Sequence, residues 1–165
     1  MQNHLASIVP IKPGPFRRLT LRVVLFAINL LARLVYTKGR LGKLTSIHFA
    51  HWSIIDGGRN LLFLSNFDGS WESYLDDFIE KAHSGLTAVW THGVGFPRTR
   101  WLIRDGASDG DAFKAWARIS QLPSLCWYQA YPHRSVQNID TSSLLCDGLH
   151  GAMTPEEERA WTRAI

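Results

Sequence analysis

From Leu19 to Tyr36 the chain reads LTLRVVLFAINLLARLVY, in which only Thr20, Arg22, Asn29 and Arg33 are neither apolar nor aromatic. Wound as an α-helix at 100° per residue, Arg22, Asn29 and Arg33 fall on one narrow stripe, and extending the helix either way brings Arg18 and Arg40 beside it. Val24, Ala27, Ile28, Leu31 and Val35 lie opposite and are expected to face a sheet. Leu21, Leu25, Phe26 and Leu30 leave both flanks apolar as well. A layered domain can bury one face of such a helix but not its whole circumference.

The charge pattern sharpens this constraint. Met1 to Ile55 carry Lys12, Arg17, Arg18, Arg22, Arg33, Lys38, Arg40 and Lys43 without one Asp or Glu, so the net +4 of the chain divides into +8 before Asp56 and −4 from Asp56 onward. Segregation of this kind points to an anionic partner. A nucleic-acid binder would interleave its basic residues with exposed aromatics on a sheet, whereas these surround an apolar helix, so no nucleic acid is expected. Two readings stay open for this helix: an anionic membrane surface as partner, with Arg17, Arg18, Arg22, Arg33, Lys38 and Arg40 as the contact residues, or a protein-interaction face whose apolar flanks are covered by a second helical layer, the C-terminal tail or a second subunit. Crossing the bilayer is disfavoured, because each arginine at mid-membrane costs ~2.5–3.5 kcal/mol. Lying in the interface with the arginines among the headgroups avoids that cost.

With 165 residues, 45% hydrophobic and 19% charged, the chain has the length for one domain and too much apolar content for wholesale disorder. Cys126 and Cys146 form neither a CxxC motif nor a disulfide framework. The opening MQNHLASIVP lacks the basic and apolar regions of a secretory signal and is expected to be mature sequence. A cytoplasmic protein, peripheral at the inner membrane face, is the expectation.

Along the chain, Leu5–Ile11 is a candidate strand ended by the Pro-Gly-Pro break at 13–15, and the apolar helix follows from about Phe16. The β-rich runs Ser46–Ile55 and Leu61–Phe67 flank Asp56-Gly57-Gly58, residues that tolerate the positive φ angles of hairpin turns. Ser70 caps a helix whose Trp71, Tyr74, Leu75, Phe78, Ile79 and Ala82 recur at core spacing, with Gly85 as its stop. Leu86–His92 either extends that helix or folds back, and residues 93–97 form a loop. Arg98–Arg104 alternates like a half-buried strand, residues 108–120 hold a short helix with Phe113, Trp116 and Ala117 inward, and Leu125–Tyr131 reads as a further strand. After Pro132 periodicity is lost until Thr154-Pro155-Glu156-Glu157, a capping box with Pro at the first helical position. The expected division is a domain over 1–135 and a tail over 136–165 ending in a short helix.

The first six elements follow the order of a ferredoxin-like split βαβ unit, an α+β fold whose antiparallel sheet is covered by helices on one face. The segments SIHFAHW, LLFLSNFDGSWESYLDDFIEKA, VGFPRTRWL and CWYQAYP resemble a bacterial branch of the dimeric α+β barrel superfamily, over about residues 5–135. That resemblance implies a homodimer paired through the open sheet face. The space between its sheets holds hydrophobic substrates in monooxygenases and haem in chlorite dismutases and dye-decolourising peroxidases. It therefore implies a small-molecule-binding protein, with haem-dependent or other oxidative chemistry on a hydrophobic substrate as the activity to look for.

Among the histidines, His48 and His51 have opposite strand parity and cannot line one pocket. His51 groups with Phe49 and Ile55. His92 lies in THGVGFPR, beside two glycines and ahead of Arg98 and Arg100. His92, His51 and Arg100 are the candidate catalytic residues, and His92 with Arg98 the candidate cofactor-binding pair, His92 as haem ligand or acid/base and an arginine balancing a propionate or carboxylate. His83 near a helix end, a loop role for His92, and core roles for most of the seven tryptophans are the structural alternatives. No metal-ligand spacing is present, so no dedicated metal site is expected.

Overall fold

The computed structural model describes residues 1–34, 44–149, 151 and 154–164. Among them the chain forms a mixed α+β fold of five helices, a three-stranded antiparallel sheet and a two-stranded one. In order these are β1 (Gln2–Pro10), α1 (Pro15–Leu34), β2 (Ile47–Ile55), β3 (Asn60–Asp68), α2 (Trp71–Trp90), β4 (Thr99–Arg100), β5 (Arg104–Asp105), α3 (Gly110–Ser120), α4 (Val136–Leu149) and α5 (Pro155–Ala164).

The main sheet runs β1-β3-β2, with β3 antiparallel to both neighbours, so β1 and β2 are parallel and separated by the strand that follows them. The hairpin from β2 to β3 turns where the Asp-Gly-Gly sequence predicts it. Asp56, Gly57 and Gly58 take φ values of 53°, 64° and 88°, a run of left-handed conformations that two glycines make affordable. Strand alternation then divides the residues. Leu5, Ser7 and Val9 of β1 and Leu61, Phe63, Ser65 and Phe67 of β3 are buried on one face, where Ala50, Trp52 and Ile54 of β2 join them. His4, Ala6, Leu64, Asn66, Phe49 and His51 belong to the other, more open face.

The predicted apolar spacing of α2 packs as expected, with Tyr74, Leu75 and Phe78 buried and Trp71, Ile79 and Ala82 against them. Ser70 accepts a hydrogen bond from the Ser73 amide at 3.1 Å. Gly85 does not stop the helix. A kink at Ala82 (φ −139°) lets it continue to Trp90, because Leu86, Val89 and Trp90 re-enter the core. Tyr74 stacks on Phe67 at 3.8 Å and bonds Ser65 Oγ through its hydroxyl at 2.6 Å. Arg118 of α3 lies over Trp71 at 4.2 Å and donates to Glu72 at 2.8 Å, tying α3 to the start of α2.

Two predicted strands are not formed. Arg98–Arg104 makes only the two-residue β4 and β5 around a turn in which Trp101 and Leu102 have positive φ, and Trp101 and Ile103 point outward instead of inward. Leu125–Tyr131 carries no ladder, yet residues 121–131 do run antiparallel beside the free edge of β1. Gln121 bridges Ser7, the Leu122 amide donates to Ala6 O at 2.8 Å, Trp127 stacks on His4 at 4.9 Å, and Gln129 donates to Gln2 at 2.7 Å.

The stretch after Pro132 contains the helix that periodicity missed. Ser135 and Asn138 cap α4 reciprocally, the Asn138 amide donating to Ser135 Oγ and the Ser135 amide to Asn138 Oδ1, a capping box with Asn in the acceptor place. The Val136 amide donates to Asp68 Oδ2 at 2.7 Å, and His48, at the bulge in β2, meets the other oxygen of the same carboxylate at 3.0 Å. Asp68 thereby joins both ends of the hairpin to the tail. In α5 the predicted box forms, with the Thr154 amide donating to Glu157 Oε2 at 2.8 Å and the Glu157 amide to Thr154 Oγ1 at 3.4 Å.

Replacing Tyr74 by Phe leaves the Ser65 hydroxyl buried without its partner. Urea unfolding is expected to show a loss of roughly 1–2 kcal/mol, with an unchanged m-value.

Candidate functional site

Pro15 at the first position and the preceding Pro-Gly break start α1 cleanly after β1. Its contact with the body is narrow. Leu21 is wholly buried, and Val24, Leu25 and Ile28 pack beside it against the core. Ala27 and Leu31, expected to face the sheet, are exposed instead. The inward sector is thus turned by about 50°, at 100° per residue, from the one opposite the polar stripe. Expected residue Val35 lies outside the described residues.

That rotation leaves an apolar stripe on the outside of the molecule. Phe16, Leu19, Val23, Phe26, Leu30 and Leu34 are each 46–70% exposed and share one helical face. Neither the C-terminal helices nor any other described element covers them. Arg18, Arg22 and Arg33 border this stripe and are themselves exposed. Arg17 does not join them. It turns inward, and its Nη1 is buried without a hydrogen-bond partner. Lys38 and Arg40 lie outside the described residues. No described helix is long and apolar enough to cross a membrane.

His92 follows α2 and is completely buried, with neither ring nitrogen hydrogen-bonded. Burial, then the charges of Arg17 and Lys12, lower its pKa to about 4, so the ring is neutral. Its backbone serves the fold, since His92 O accepts from the Lys12 amide at 2.8 Å and Thr91 O accepts from Lys12 Nζ at 2.9 Å. The adjacent Gly93 is needed for packing, because a Cβ there would lie 2.5 Å from the Val9 side chain. A haem does not fit here. An axial histidine presents a nitrogen to an open pocket, whereas His92 has no accessible surface and sits beside two cations.

The other candidates are dispersed. Arg98 and Arg100 are exposed, and Arg100 pairs with Asp105 at 3.3 Å. His51 lies on the open sheet face, where a groove of about 230 Å³ is lined by His4, Phe49, His51, Leu64, Asn66 and Trp127. His4 was not singled out from sequence, although strand parity puts it on that face once the β1–β3 register is known. His83 and His133 are exposed. Among the described residues no three His, Cys, Asp or Glu side chains gather as a metal ion would require.

The fold and surface define a small α+β domain with an uncovered basic and apolar helix. No protein-family model, curated protein or solved structure matches the chain.

The buried neutral His92 makes stability depend on pH. Between pH 6.5 and 4 the unfolded chain binds a proton that the folded chain refuses, so stability falls on acidification through that window. The shift from 6.5 to about 4 corresponds to ~3 kcal/mol. Denaturant titrations of His92→Leu from pH 7 to 4 are expected to show that much less acid destabilisation than the unsubstituted chain.

Proposed function

We propose that this chain is a peripheral membrane-surface module that lays the outer face of α1 into the interface of an anionic bilayer. The observation that carries the reading is the exposed stripe of Phe16, Leu19, Val23, Phe26, Leu30 and Leu34 bordered by Arg18, Arg22 and Arg33. An apolar face of this extent on a single chain marks an interaction surface. Its charge selects the occupant, since the first 55 residues contain eight cations and no carboxylate. Each large apolar side chain moved from water into the acyl boundary contributes on the order of 1–2 kcal/mol. Each arginine near an anionic leaflet adds about 1 kcal/mol.

The fold reading that accompanies this function is a ferredoxin-like domain of the dimeric α+β barrel kind. The β1-β3-β2 order supports it, as does the extended segment 121–131 along the β1 edge, where a fourth strand would lie. A second reading rests on the groove lined by His4, His51 and Trp127: the open sheet face binds a small hydrophobic molecule, which a second copy of the chain would enclose. The two readings are compatible, because a domain seated in the interface meets membrane-soluble ligands there.

Co-sedimentation with phosphatidylcholine vesicles containing phosphatidylserine tests the main reading. Binding at low salt is expected to weaken as salt rises. Arg22→Gln with Arg33→Gln is expected to reduce it roughly tenfold to thirtyfold, and Phe26→Ser with Leu30→Ser to reduce it in any salt. Absence of binding at low salt, or a dimer in solution that α1 substitutions dissociate, would overturn the reading.

A further inference from the structure

At one end of the sheet, the β1–α1 connection and the turn between β2 and β3 enclose an open groove of about 770 Å³. Its lining includes Lys12, Arg18, Gly57, Gly58, Arg59 and Asn60. Three cations thus face one carboxylate, Asp56, whose Oδ2 already accepts from Asn60 Nδ2 at 2.5 Å. Arg59 Nε donates to Asp56 O at 3.0 Å, which leaves its terminal nitrogens free to donate elsewhere. Arg18 crosses Gly58, where a Cβ would approach its Cδ to 3.3 Å, so the buried glycine at φ +88° makes the room that this side chain uses.

The positive charge continues into the wall. Lys12 Nζ donates to Thr91 O and keeps further protons for a ligand. Burial and the neighbouring Arg17 lower the Lys12 pKa, and Arg17 Nη1 itself is buried without an acceptor. Cations crowded in excess of the one nearby carboxylate are stabilised by an anion that reaches them. Donors from a lysine and two arginines on separate segments suit a compact, multiply charged oxyanion better than a planar carboxylate. Arg18 also shares its helical turn with the exposed Phe16 and Leu19, so an anion in the groove would lie next to the start of the apolar stripe.

We propose that this groove binds a phosphate monoester, the headgroup of an anionic lipid whose acyl chains lie along the α1 stripe. The proposal rests on the membrane reading for the source of the phosphate but not for the chemistry of the groove. A phosphate monoester carries about −1.5 to −2 charges at neutral pH and three acceptor oxygens, against one negative charge on a phosphodiester headgroup.

Two measurements on the full chain test it. In vesicle flotation with phosphatidylcholine plus either phosphatidate or phosphatidylglycerol, at matched surface charge, phosphatidate is expected to be preferred about tenfold, the worth of one added charge-assisted hydrogen bond. Arg59→Gln, an exposed substitution, and Lys12→Gln are each expected to reduce that preference while phosphatidylglycerol binding persists. In an NMR titration, inorganic phosphate is expected to move the amides of residues 12 and 57–60. Equal binding of the two lipids, or a preference that both variants retain, overturns the proposal. Phosphate shifts without a lipid preference assign the groove to free phosphate and overturn the lipid source. If no vesicle binds, the membrane reading has failed, and the phosphate titration alone then decides the groove.

Discussion

The seating of α1 on the core, where it packs beside α2, is the contact from which the rest of this molecule's character follows. Leu21 is its wholly buried anchor, with Val24, Leu25 and Ile28 around it, and together they fix the rotation of the helix. An α-helix can present only a limited sector to a single sheet. Once that sector is taken by these four residues, Phe16, Leu19, Val23, Phe26, Leu30 and Leu34 must lie outside. The large exposed part of each contributes to transfer out of water once an apolar phase is available. The same rotation keeps Arg18, Arg22 and Arg33 at the border of the stripe, where they reach headgroups without burial, and turns Arg17 inward toward His92.

The turn at the start of α1 couples this surface to the core. Lys12 bonds the Thr91–His92 backbone, Gly93 abuts Val9, and the β2–β3 turn brings Arg59 alongside. Basic residues distant in sequence thereby meet at one end of the sheet, beside the first turn of the exposed helix. His92 contributes to this end by staying uncharged, since a buried cation beside the half-buried Lys12 and Arg17 would be strongly disfavoured. Placement of positive charge and placement of apolar surface are thus consequences of one local arrangement.

What could be read from sequence was what local chemistry decides. The Asp56-Gly57-Gly58 turn, the Ser70 and Thr154 caps and the core spacing of α2 depend on neighbours within a few residues, and all are found. Strand identity depends on a partner. Residues 125–131 lie beside β1 but pair too sparsely for a ladder, and 98–104 folds over Trp101 and Leu102, whose positive φ values no residue pattern announces. Helix α4 was hidden because its apolar residues are scattered and largely exposed, although Ser135 and Asn138 offered a capping signal. The excess apolar circumference of α1 was legible, but its rotation was not, because the fit to the core selects Leu21 and Leu25 over Ala27 and Leu31. Burial of His92 was equally out of reach, since it follows from α2 continuing past Gly85.

The depth of α1 in a bilayer tests this picture most directly. With Cys126 and Cys146, both exposed, replaced by serine, single nitroxide labels at Leu19, Val23, Phe26 and Leu30 can be read by power saturation on anionic vesicles. These positions are expected to lie about 5–10 Å below the headgroups. Labels at Arg22 and Arg33 should report headgroup level, and a label at Lys114 on α3 the aqueous phase. Uniform aqueous accessibility along α1 under conditions of full vesicle binding would contradict the account.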